Sequence, residues 1–169
     1  MGLQKTKFLA SYSETLRACR SFHNYSITDL AEYSGIHRNS ISAIENRSHD
    51  ASSFTCARLC FALNVRHIKL AKDSTIQLRP EPMDHDRRFP ARVPYHAHIM
   101  ERLGKAICRR RESLGLLQEE LATLAGIHKN SLWPIERGLT IPTNYNLFSI
   151  YFSLEVTQLK ADNFEILLQ

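Results

Sequence analysis

The stretch "GIHRNSISAIE" at residues 35–45 returns as "GIHKNSLWPIE" at residues 126–136, and the fold of the chain turns on why it is written twice. Sliding the sequence along itself by 91 residues keeps the two copies in register, without a gap, for some fifty positions. Leu30-Ala31 meets Leu121-Ala122, Asn39-Ser40 meets Asn130-Ser131, and Ile44-Glu45 meets Ile135-Glu136. Further out, Arg20 meets Arg111, while Phe61, Leu63 and Val65 meet Phe152, Leu154 and Val156. Chance does not hold such a register; a duplicated unit does.

Each copy reads as a run of short helices. Ser26 followed three residues on by Asp29 has the form of a capping box, and Leu30, Ala31 and Tyr33 give the helix an apolar side before Gly35 stops it. A second helix follows at once from about Arg38, because Ile41 and Ile44 are spaced to point inward while Arg38, Asn39 and Ser42 point outward. Two helices joined by a short turn containing Gly make a helix-turn-helix. A first helix is expected over Leu9 to Phe22, and "SSFTCARLCFALNV" and "HIKLA" are expected to add a fourth and a fifth. The second copy repeats this plan at about 102–114, 118–125, 129–136, 145–153 and 157–162. "STIQL" and "FEILL", again 91 residues apart, are candidate short strands.

The gross composition narrows the function classes. The 169 residues suit one ordinary domain or two small ones, and 43% hydrophobic content with no apolar run of membrane-spanning length reads as a globular chain outside the membrane. The start, "MGLQKTKFLASYSE", breaks the unbroken apolar segment that a signal peptide needs, so a cytoplasmic location is expected. The net charge is +5, and residues 1–79 carry all of it, with eleven Lys/Arg against six Asp/Glu, whereas the remainder has eleven of each. A basic half favours a polyanionic partner. Cys56 and Cys60 align with Leu147 and Tyr151, which marks them as core positions, and no Cys or His spacing closes a metal site. No nucleophile, acid/base constellation or phosphate loop appears, so no enzyme, cofactor or small-molecule ligand is expected.

Both copies resemble the Cro/C1-type (XRE) helix-turn-helix domain, over residues 10–71 and 101–162. "RRRESLGLLQEELATLAGIHKNSLWPIERG" carries the closer match, through its Arg-x-x-x-Gly-x-x-Gln-x-x-Leu-Ala spacing and its Ile-Glu-Arg-Gly ending. The resemblance implies an all-α fold of two tandem five-helix, lambda-repressor-like helix-turn-helix domains, residues 1–78 and 98–169, joined by a Pro-rich linker at 79–97. It also implies recognition helices at 38–45 and 129–136 that enter the major groove of double-stranded DNA and put their first residues against base edges. Arg38 and Asn39 are apt there, since Arg reaches guanine O6 and N7 and Asn reaches adenine N6 and N7; Lys129 and Asn130 repeat the pair. Ser42, Ala43 and Trp133 lie on the same outward face. Gln118 stands where the family places a phosphate-gripping Gln. The first copy has Ile27 there, and Ser26, His37 and Asn46 are its candidates for backbone contacts, with His128 equivalent to His37 in the second copy. Ser26, His37 and His128 have helix capping as a competing role. Arg20 with Glu45, and Arg111 with Glu136, match a family ion pair that ties the first helix to the end of the recognition helix.

The copies are not equal. Pro134 stands six residues into the second recognition helix, where it removes a hydrogen bond to the Asn130 carbonyl at a cost of around 3 kcal/mol, so that helix is expected to bend or shorten. Trp133, in place of Ser42, suits packing or an interface better than base reading. The whole chain therefore reads as a sequence-specific DNA-binding transcriptional regulator of bacterial, phage or mobile-element type. It is expected to act as a homodimer with copy one as main reader. An antitoxin-like module that covers a partner protein, and an architectural accessory factor for recombination or DNA transfer, are the alternatives.

Overall fold

The computed structural model describes residues 2–83, 96–162 and 165–168, with residues 96, 97, 161, 162 and 165–168 described by their backbone alone. Among them the order of elements is α1 Lys5–Phe22, α2 Ile27–Ser34, α3 Arg38–Glu45, α4 Ser53–Ala62, β1 Val65–Leu70, β2 Ile76–Pro80, α5 His96–Ser113, α6 Gln118–Ala125, α7 Lys129–Glu136, α8 Asn144–Ser153, β3 Gln158–Asp162 and β4 Glu165–Leu168. Each of the first four helices recurs 91 residues later with the same bounds.

Local chemistry sets those bounds. At the start of α2 the Ser26 N–H donates to Asp29 Oδ2 at 2.7 Å and the Asp29 N–H donates to Ser26 Oγ at 3.1 Å. Such a reciprocal pair satisfies two of the donors that a helix start leaves open. At the other end Gly35 (φ 64°), like Gly126 (φ 65°) after α6, adopts the left-handed conformation that turns the chain sharply into the next helix. Ser52 and Thr143 cap the starts of α4 and α8, their side-chain oxygens accepting from the Thr55 and Asn146 N–H groups.

The fifth helices expected at "HIKLA" and at residues 157–162 are strands. In β1, Ile68 and Leu70 are buried while His67 and Lys69 are exposed, a period of two that only an extended chain produces. An apolar run this short does not distinguish strand from helix by periodicity, and the candidate strand "STIQL" supplies the missing pairing as β2. "FEILL" likewise contributes β4, which pairs with β3. The fold is therefore mainly helical with a four-stranded sheet, not all-α. Helices α1 and α5 also start earlier than expected, at Lys5 and His96. Of the linker expected at 79–97, residues 79–80 belong to β2 and 96–97 to α5; residues 84–95 lie outside those described.

The sheet order is β2-β1-β3-β4, all antiparallel, so the halves of the chain meet at the β1–β3 pairing. That register places Ile68 opposite Leu159, its own counterpart 91 residues on, with His67 opposite Lys160 and Lys69 opposite Gln158. A second crossing has the same property. Ser52 bridges Thr143, the Ser53 N–H donates to the Pro142 carbonyl at 2.9 Å, and the Asn144 N–H donates to the Ala51 carbonyl at 2.7 Å. Residues that meet their own counterparts lie on a local two-fold axis, so the halves are arranged about each other as subunits of a symmetric dimer are. The core is continuous across this axis: buried Phe8 of α1 packs on buried Phe148 of α8 with ring centroids 5.3 Å apart. Cys19, Cys56 and Cys60 are buried in it, and burial pushes the Cys56 thiol up to about 12, which keeps it neutral.

One packing detail separates the halves. Ser13 of α1 donates its hydroxyl to the Ile44 carbonyl at 2.7 Å, whereas the equivalent position on α5 is Gly104, where a Cβ would run into the carbonyl oxygens of Ile135 and Glu136. Gly104→Ala is expected to destabilise the chain by about 1–3 kcal/mol through overpacking, despite the better helix propensity of Ala. Denaturant titration measures this, and a stability equal to or above the parent would show that α5 and α7 separate without cost.

Candidate nucleic-acid interface

Helices α2 and α3 with the turn at Gly35 form the helix-turn-helix. Ile41, Ile44 and Glu45 bury one side of α3, which leaves Arg38 and Asn39 exposed at its first turn, Ser42 and Ala43 half-buried behind them, and Asn46 exposed at its end. His37 is exposed and caps the helix, its Nδ1 accepting from the Asn39 N–H at 3.2 Å. Asn46 Nδ2 donates to Ser42 Oγ at 3.3 Å. Arg38 forms no ion pair among the described residues, so its guanidinium stands open beside the positive end of a helix dipole, an arrangement suited to an anionic partner.

What orients α3 is the ion pair at its far end. Arg20 holds Glu45 bidentately, Nε to Oε1 at 2.8 Å and Nη2 to Oε2 at 2.9 Å, and Glu45 is 4% exposed. Arg20 Nη1 also donates to the Tyr25 carbonyl at 2.8 Å, which fastens the α1–α2 turn. The hydrogen bonds to Glu45 raise the Arg20 pKa further, so the pair stays charged. Arg111 holds Glu136 in the same way at 2.7 and 3.2 Å, and reaches the Leu116 carbonyl. Arg17, which sequence reasoning passed over, adds a hydrogen bond to the Glu45 carbonyl at 2.8 Å in the first half only; Cys108 takes its place in the second.

The equivalent surface of the second half has a different character. His128 caps α7 through Nδ1 as His37 caps α3, and Lys129 and Asn130 are exposed. Lys129 Nζ, however, lies 3.4 Å from Glu119 Oε1, where the first half has Thr28. Gln118 is half-buried, and its Nε2 donates to Glu136 Oε2 at 2.7 Å, so its amide nitrogen serves the internal ion pair. Trp133 is 50% exposed with the Arg137 guanidinium 5.6 Å from its ring centroid. Leu117, Leu124, Leu139 and Ile141 are exposed as well, at positions where the first half has Ser26, Tyr33, Ser48 and Asp50.

Of the two outcomes expected of Pro134, bending or shortening, the helix does not shorten: α7 spans eight residues, as α3 does. Beyond the proline the closing bonds match the first half one for one, with Arg137 N–H to Trp133 O, Gly138 N–H to Ile135 O and Leu139 N–H to Pro134 O. Only the proline's own bond is lost, and the burial of Leu132 and Ile135 with the clamp on Glu136 holds the last turn in place.

Among the described residues, no group of three or more His, Cys, Asp or Glu side chains converges on one point, and no helix is long and apolar enough to cross a membrane. The geometry defines a helix-turn-helix with an exposed, capped second helix. A helix-turn-helix family model matches residues 16–70, about a third of the chain, from the middle of α1 to the end of β1. The match supports a DNA-binding domain of the Cro/C1 (XRE) type in that segment. No curated protein matches the chain.

Proposed function

We propose that the chain is a sequence-specific, double-stranded DNA-binding transcriptional regulator of bacterial, phage or mobile-element type. In this reading it has two helix-turn-helix domains, residues 1–78 and 98–169 with 79–97 between them, and α3 is the main base reader. The observation that carries the proposal is the exposed, capped start of α3, where Arg38 and Asn39 stand clear of the ion pair that fixes the helix from behind. Ser26, His37 and Asn46 flank them as backbone contacts, and the caps on α2 and α3 orient these side chains.

The second domain is assigned a lesser role on DNA. The Glu119 partner of Lys129, the inward Gln118 amide and the apolar group around Trp133 lower its positive potential and favour contact with protein. This group supports the antitoxin-like reading better than any other feature. Two-fold symmetry lies within one chain, so we assign DNA binding to the monomer, on an inverted repeat with one well-specified and one loosely specified half-site. A homodimer through the Trp133 surface would double the protected length.

Footprinting and fluorescence anisotropy on DNA upstream of its own gene test this. Affinity is expected to fall steeply with salt, log K decreasing by close to one unit per phosphate contact for each tenfold rise. An affinity unchanged between low and moderate salt would remove DNA binding as the main function. Trp133→Ala with unchanged solution mass would argue against a homodimer built on that surface.

A further inference from the structure

The helices cover one face of the sheet; among the described residues the side chains of β1, β2 and β3 on the other face are exposed and mostly basic or amide. Its side chains form two rows that run across the strands. In the first, Lys160 of β3 lies opposite His67 of β1, which lies opposite Arg79 of β2. In the second, Gln158, Lys69 and Gln77 stand abreast in the same way. Directly opposed side chains in antiparallel strands are about 4.5–5.5 Å apart, which gathers Lys160, Arg79 and Lys69 around His67 into one positively charged patch. Glu81 offsets part of this at one edge, 3.8 Å from His67 and 3.9 Å from Arg66. Lys69, Arg79 and Lys160 are exposed and form no ion pair among the described residues. Beside Lys69 and Arg79 is a recess of about 430 Å³ lined by His67, Ile68, Lys69, Arg79, Gln158 and Leu159.

We propose that this recess binds a small phosphate-bearing anion. Lys69 of β1 and Arg79 of β2, with His67 and the Gln158 amide beside them, line the recess and supply the charge and the donors that a diphosphate group needs. The volume is that of a small-ligand site and not of a macromolecular groove. The sheet face offers no Phe, Tyr or Trp among the described residues on which an unpaired base could stack, which disfavours single-stranded nucleic acid. The recess also straddles the two-fold axis, where β1 brings residues of the first half and β3 those of the second. A bound anion therefore bridges the halves and tightens the junction that sets their relative orientation. This placement needs no assumption about base reading by α3.

Pyrophosphate is the probe, titrated calorimetrically into the full chain at moderate salt, with Lys69→Gln, Arg79→Gln and the double variant Lys69→Gln/Arg79→Gln beside the parent. The substitutions are on exposed side chains, and circular dichroism checks that each variant is folded. Saturable binding at one site per chain is expected, weakened about three- to fivefold by each single change and more than tenfold by the pair, and unaffected by Arg38→Ala. Equal isotherms for parent and double variant would overturn the proposal. So would the absence of pyrophosphate binding together with a loss of DNA affinity in the sheet variants, which would assign the face to the phosphates of the DNA backbone.

Discussion

Glu45→Ala is expected to lower the stability of the chain by about 3–5 kcal/mol, because it leaves a largely buried Arg20 guanidinium without its carboxylate. Arg20 would keep only the Tyr25 carbonyl, and Arg17 the backbone carbonyl of residue 45, neither of which offsets a positive charge. In a chain of this size the loss corresponds to a fall in Tm of roughly 6–20 °C. The transition should remain single, since the halves share one core and one sheet. Glu45→Gln retains one hydrogen bond and should lose less. Replacing both partners with apolar residues of similar volume should recover much of the loss, because what is costly is the unpaired charge and not the absence of the bridge. Specific DNA binding should remain impaired in that double variant even as stability returns, since α3 then lacks the contacts that set its angle to α1. Melting of Glu45→Ala indistinguishable from the parent would show that solvent reaches Arg20 freely and that the pair orients nothing.

Much of this was legible in the sequence, for physical reasons that also mark where reading failed. The Ser26–Asp29 capping box, the Gly turn and the inward spacing of Ile41 and Ile44 are local signals that placed α2 and α3 correctly, and the offset of 91 carried the same bounds to α6 and α7. The Arg20–Glu45 pair joins residues 25 apart and was reached through family resemblance, not through any local rule. Strands β2 and β4 were anticipated at "STIQL" and "FEILL", whereas β1 and β3 were read as helices, because "HIKLA" is too short for its period to be decisive and its pairing with Gln158–Asp162 is made only by the folded chain. For Pro134, local propensity argued for a helix that bends or shortens; it does not shorten, because tertiary burial on both sides of the proline kept the last turn. The apolar surface of the second half was in principle visible. Aligning Leu117, Leu139 and Ile141 with Ser26, Ser48 and Asp50 at offset 91 shows polar positions turned apolar, a comparison that attention to Trp133 alone did not make.

The unequal copies yield the last prediction, and it addresses the duplication itself. Arg38→Ala and Asn39→Ala each remove donors suited to a base edge and should each cost about 1–3 kcal/mol of discrimination between the best site and its single-base variants. Together they should reduce specific binding by two orders of magnitude or more while leaving binding to random duplex nearly unchanged, since the phosphate contacts remain. Lys129→Ala and Asn130→Ala should cost less than half as much. Lys129 is already turned toward Glu119, and the neighbouring Trp133 ring keeps a polar groove edge from approaching α7 as closely as α3 allows at Ser42. The measurement is a competition assay of all four single variants and both pairs against the parent, on the preferred site and on scrambled DNA. Equal losses of specificity from Arg38→Ala and Lys129→Ala would show that both halves read bases alike and would sink the unequal assignment, whatever the surface chemistry around Trp133.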